Sequence, residues 1–112
     1  MESKYLKSLT NTITRVVSAE NLSRAIEGQH VISTTPIAET GEYAVVIKTY
    51  KRDDYRKIVH TLIREKYDES EEFCMLRKGN VDKTNPEFVE YDRYAEECKA
   101  VAKSFIAERD SR

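Results

Sequence analysis

Few side chains in this sequence carry chemistry suited to catalysis or metal binding. There are two histidines, His30 and His60, and two cysteines, Cys74 and Cys98. A general base needs a partner within hydrogen-bond reach to orient it, and the sequence supplies none beside either histidine. His60 stands next to an apolar pattern of Ile58, Val59, Leu62 and Ile63, so a polar residue on a helix flank is favoured over a catalytic or ligating one. A structural zinc site wants four ligands in close pairs. His60, Cys74 and Cys98 have no paired spacing, and both cysteines fall on apolar helix positions, where a small buried hydrophobe is the expected role. The acidic run Asp68-Glu69-Ser70-Glu71-Glu72 lacks the glycine and the ligand spacing of a calcium loop. It reads instead as negative charge gathered at a helix start, where the peptide dipoles favour it. No metal and no cofactor is expected.

Lys48, Lys51, Arg52, Arg56 and Lys57, interleaved with Tyr50 and Tyr55, have the composition of a nucleic-acid-binding edge. An ordinary solvated edge has the same composition, and Asp53 and Asp54 interrupt the positive charge. The whole chain carries a net charge of −1, against the basic excess usual in nucleic-acid binders. Only three glycines are present, and no phosphate-cradling loop, nucleophile elbow or metalloprotease motif occurs. A non-catalytic chain is therefore expected. Seven tyrosines and no tryptophan remain. Tyrosine joins apolar area to a polar tip and is enriched in protein interfaces. Tyr43, Tyr55 and Tyr91 fall on core faces of their segments, whereas Tyr5, Tyr50, Tyr67 and Tyr94 are candidates for a partner surface.

The elements that position these residues are legible from periodicity. The clearest is a helix over residues 85–109. Asn85 is a natural N-cap, Pro86 suits the first helical position and Glu87 meets the dipole. Phe88, Tyr91, Ala95, Cys98, Ala102 and Phe105 define one face, widened by Tyr94, Val101 and Ile106. About 24 helical residues span roughly 36 Å, longer than a domain of this size needs. The surplus makes Val101, Phe105 and Ile106 further candidates for contact with a second copy. Over residues 53–67 the spacing predicts another helix, capped by Asp53, with Tyr55, Ile58, Val59, Leu62 and Ile63 buried. Asp68 and Glu71 have capping-box spacing for a third, with Phe73, Met75 and Leu76 inward and Lys78-Gly79-Asn80 breaking it. Removing a buried aromatic at Tyr55 or Phe88 is expected to cost roughly 3 kcal/mol or more.

Before residue 53 the period is two. Strands are expected over residues 12–17, 30–37 and 42–50, the last two forming an antiparallel hairpin through Glu39-Thr40-Gly41-Glu42. Pro36 restricts its strand to an edge, and the last strand, apolar on both sides near Val45 to Ile47, belongs at the centre. A short helix over residues 2–9 and another over 19–27, capped by Ser18 and closed by Gly28, complete the reading. Strands followed by helices imply an α+β domain, a small antiparallel sheet of two to three strands with three helices on one face, the last long. At 112 residues a single domain is expected, strand-rich over 10–50 and helical over 53–109. No apolar run reaches the roughly 20 residues that span a bilayer, and no signal-peptide core follows Met1-Glu2-Ser3-Lys4, so an intracellular chain with free thiols is expected.

Residues 58–99 also resemble a known group. The run Leu62-Ile63-Arg64-Glu65-Lys66-Tyr67, then Ser70-Glu71-Glu72-Phe73, Leu76-Arg77-Lys78, Pro86-Glu87-Phe88, Glu90-Tyr91 and Glu96-Glu97-Cys98-Lys99, is similar to the C-terminal half of small proteins encoded near structural genes of tailed phages and prophages of gut bacteria. The resemblance implies a protein of the virion, or of the host cytoplasm during assembly: a structural protein associated with head or tail fibres, or a tail or fibre assembly chaperone. It implies other virion or assembly proteins as partners. A homodimer or higher homo-oligomer is the expected state, with no membrane contact. A small nucleic-acid-binding regulator working through the basic edge is the reading from a different class.

Overall fold

The computed structural model describes residues 1–111. The element order is α1 (Lys4–Ser8), β1 (Thr10–Val17), a 3₁₀ turn (Ala19–Asn21), α2 (Leu22–Ile26), β2 (His30–Pro36), β3 (Tyr43–Tyr50), α3 (Tyr55–Arg64), α4 (Glu69–Val81) and α5 (Pro86–Asp110). This is an α+β chain with a three-stranded antiparallel sheet and a long last helix. It divides into two compact units, one of Met1–Lys7 with Asp53–Asp110 and one centred on Ser8–Arg52. Each is described by itself.

In the strand unit the sheet order is β1-β3-β2. The β-branched and apolar run of β3 takes the centre, with Val45 and Ile47 buried and alternating with less buried neighbours. Register runs from Thr10 opposite Tyr50 to Val17 opposite Tyr43 on one side. On the other it runs from His30 opposite Lys48 to Pro36 opposite Tyr43, with an irregularity between Val31 and Ser33. Pro36 lacks a ladder donor and sits on an edge strand, as its chemistry requires. Ile37 N–H donates to Glu42 O (2.8 Å) and Gly41 N–H to Ile37 O (2.9 Å) across the hairpin turn. Gly41 holds φ 72°, a left-handed conformation that glycine adopts without steric cost. The segment expected as one helix over 19–27 is instead a 3₁₀ turn and a single short helix, and Ser18 makes no side-chain cap bond. Glu27 (φ −61°, ψ 126°) leaves the helical region, and Gly28 (φ 68°) completes a turn whose geometry demands glycine.

In the helical unit α3 and α5 bury facing stripes, Ile58, Leu62 and Ile63 on one and Tyr91, Ala95, Cys98, Ala102 and Phe105 on the other. The cap of α3 is Asp54 rather than Asp53; its carboxylate accepts from Lys57 N–H. Asp53 is freed for other bonds, accepting from the Tyr5 hydroxyl at 2.7 Å while its backbone carbonyl accepts from Arg109. The Asp68–Glu71 capping box forms in full, and Asn85 caps α5 through bonds from Glu87 and Phe88 N–H. Two further expectations fail here. Tyr55 is 37% exposed although it shares the helix face of Ile58 and Leu62, because it is the first residue of α3, at the open end of the packed stripe. The Lys78-Gly79-Asn80 stretch does not break α4, which continues to Val81.

Gly79 is buried, and a Cβ there would lie 2.3 Å from the Phe88 ring. The missing side chain lets α4 approach the start of α5, and that contact offsets the glycine's weak helix propensity of about 1 kcal/mol.

Candidate functional site

Three helices of the helical unit converge on one carboxylate. Arg64, in the last turn of α3, places Nη2 2.8 Å from Glu72 Oε1 on α4. The Tyr91 hydroxyl of α5 donates to Oε2 of the same group. Arg64 also donates Nη1 to Tyr67 O at 3.3 Å and lies 3.1 Å from His60 Nε2, while its buried Nε has no partner among the described residues. Burial alone would raise the Glu72 pKa. The bonds from Tyr91 and Arg64, with the Arg64 charge, outweigh it and hold the group below its ordinary range. Burial, reinforced by Glu72, pushes the Tyr91 hydroxyl above the ordinary tyrosine range. Both outcomes favour one state, a charged carboxylate under a neutral phenol.

Tyr67 stacks edge-on against Tyr91 (5.2 Å between centroids) and tilted against Tyr94 (5.8 Å). Lys66 Nζ lies 4.9 Å from the Tyr94 ring centre. The Tyr94 hydroxyl donates to Leu62 O at 2.9 Å, and burial with the nearby Cys98 thiol pushes it up to about 12. The arrangement ties α3, the linker to α4, and α5 together. Its histidine is exposed, and its carboxylate is already engaged by both donors.

The residues expected on a partner surface are therefore mostly engaged within the chain. Tyr5, Tyr67 and Tyr94 are half-buried and bonded or stacked as described. Tyr50 packs edge-on against His30 at 4.7 Å. Phe105 is buried, against the expectation of a partner-facing place, because its position on α5 continues the Tyr91–Ala95–Cys98–Ala102 stripe. Val101 and Ile106 are half-buried, and Ile106 lines a shallow apolar groove with Tyr55, Lys103 and Ala107.

The exposed apolar surface is elsewhere, on α4. Phe73 is 62% exposed, Leu76 45% and Val81 89%. The inward placement of Phe73 and Leu76 in the sequence reading is overturned: Glu72, Met75 and Gly79 take the less exposed side of the helix, so Phe73, Arg77 and Val81 form an outward ridge at four-residue steps. Arg77 lies over the Phe73 ring at 5.8 Å. Cys74 is exposed too, contrary to a buried role, and lines a groove of about 390 Å³ with Arg77, Lys78, Val81, Asp82 and Asn85. Cys98 is buried, and burial raises its thiol pKa. The sequence held one usable signal for this ridge: a glycine at 79 marks the side of close helix approach, which turns Phe73 outward.

Among the described residues no group of three or more His, Cys, Asp or Glu is placed to hold a metal ion, and no helix is long and apolar enough to cross a membrane. In the basic stretch, Lys48 lies 5.4 Å from the Tyr50 ring centre and Lys57 pairs with Asp53 at 3.5 Å.

No protein-family model, curated protein or solved structure matches this chain.

Proposed function

We propose that the chain is a non-catalytic protein–protein interaction module. The observation that carries this reading is the outward side of α4, where Phe73 and Val81 on the ridge and Leu76 on its flank expose large apolar side chains. Clustered apolar surface of that kind is costly in water and marks contact sites more often than scattered single residues do. The resemblance of residues 58–99 to small proteins of tailed phages supports a setting in the virion or its assembly. In that setting the module is a structural protein associated with head or tail fibres, and its partners are other virion or assembly proteins.

The test compares wild-type protein with Phe73→Asp as bait in the assembling particle, followed by mass spectrometry of what each retains. Phe73 is exposed, so the variant keeps its melting temperature within a few degrees. The reading expects a defined set of virion proteins held by the wild type and lost by the variant. Equal retention by both, or none by either, overturns it.

A further inference from the structure

We infer that α4 pairs with α4 of a second copy of this chain, antiparallel, across a twofold axis near Phe73. The inference rests on the reading above and names the partner of the same surface. Glu69, Phe73 and Arg77 follow one another at four-residue steps, so they lie along one ridge of the helix. The eight steps from Glu69 to Arg77 span about 12 Å of helix axis, with Phe73 midway. The ridge is therefore an acid, an aromatic ring and a base, evenly spaced.

Neither charge is taken by an opposite charge among the described residues. Among the described residues Glu69 and Arg77 form no ion pair, whereas nearby Glu72 is taken by Arg64 and Lys78 by Glu87. The Arg77 contact with Phe73 is to the ring face. A twofold operation through the middle of the ridge sets Glu69 of each copy against Arg77 of the other, and Phe73 against Phe73. Leu76, on the flank, adds apolar area beside the rings. An isologous contact requires a surface complementary to itself, and this order of charges is self-complementary only when the helices run in opposite directions. A parallel pair would set acid on acid and base on base, which is repulsive at both ends.

The closing experiment measures solution mass over a micromolar dilution series for the wild type, Phe73→Asp, Glu69→Arg, Arg77→Glu and the double reversal. A thermal melt of each variant shows that it is folded. The wild type is expected to be dimeric and Phe73→Asp monomeric. Each single charge reversal is expected to raise the dissociation constant by about tenfold or more, and the double reversal to restore it, because the two exchanged charges then meet across the axis in the opposite sense. A monomeric wild type, a dimer indifferent to Phe73→Asp, or a double reversal weaker than either single overturns the inference. A monomeric wild type that still retains virion proteins through Phe73 leaves the interaction reading standing and removes only the self-pairing.

Discussion

Arg64 Nη2 lies 2.8 Å from Glu72 Oε1, so the last turn of α3 is tied to the first of α4 by an ion pair that is about one-fifth to one-quarter exposed. The second oxygen of the carboxylate takes the Tyr91 hydroxyl. Glu72 titrates below its unfolded value, so it stabilises the fold above the ordinary carboxylate range and that contribution is lost as pH falls through the folded value. Acid unfolding followed by circular dichroism should show this limb. Glu72→Gln should flatten it and lower stability at neutral pH by about 1–3 kcal/mol, since Arg64 and Tyr91 lose a charged acceptor.

The alkaline side depends on Tyr94. Its folded pKa, about 12, stands above the ordinary tyrosine value of about 10. The neutral phenol is favoured in the fold, so its contribution is complete below pH about 10 and disappears as pH rises toward the folded value. Tyr94→Phe should make stability less sensitive to pH in that window, at the expense of the bond to Leu62 O. Chemical denaturation at a series of alkaline pH values measures both effects.

Gly79→Ala is expected to destabilise the protein by roughly 1–3 kcal/mol through overpacking, although alanine is the better helix former. The new methyl group meets Phe88 head-on. Phe88→Leu placed on top should recover part of the loss, and a double-mutant cycle by urea denaturation would read the coupling. Additive effects would falsify the close-approach account.

Leu62, fully buried, and Tyr55, at the rim, should separate clearly. Leu62→Ala is expected to cost about 2–5 kcal/mol. Tyr55→Ala should cost less, since much of the ring already faces water. Equal losses in melting experiments would return Tyr55 to the interior.

The two thiols give a further measurement. Cys74 is exposed and Cys98 is buried with its pKa raised. A thiol reagent under native conditions should modify Cys74 quickly and Cys98 only upon unfolding, because the thiolate is the reactive form and needs access.

Which features were legible in the sequence follows from the range of the interactions behind them. The Asp68–Glu71 box, the Asn85-Pro86 start of α5, the central place of β3 and the buried line from Tyr91 to Phe105 each announce themselves in a pattern of residues a few positions apart. The failures depend on distant partners. Gly79 looks like a helix breaker until Phe88 is beside it. Phe73 and Leu76 look like core residues until Glu72 is claimed by Arg64 and Tyr91, which turns the Glu72–Met75–Gly79 side of α4 inward and leaves Phe73 and Leu76 exposed. Tyr5 and Tyr94 look free until Asp53 and Leu62 O take their hydroxyls.

The close approach at Gly79 also bears on how the molecule opens. A helix with glycine in its later half has little reason to hold its last turn alone, so the backbone amides there owe their protection to the ring across from them. Hydrogen exchange at the end of α4 and at the start of α5 should therefore proceed through one shared opening, with the two segments breathing together as a cooperative unit.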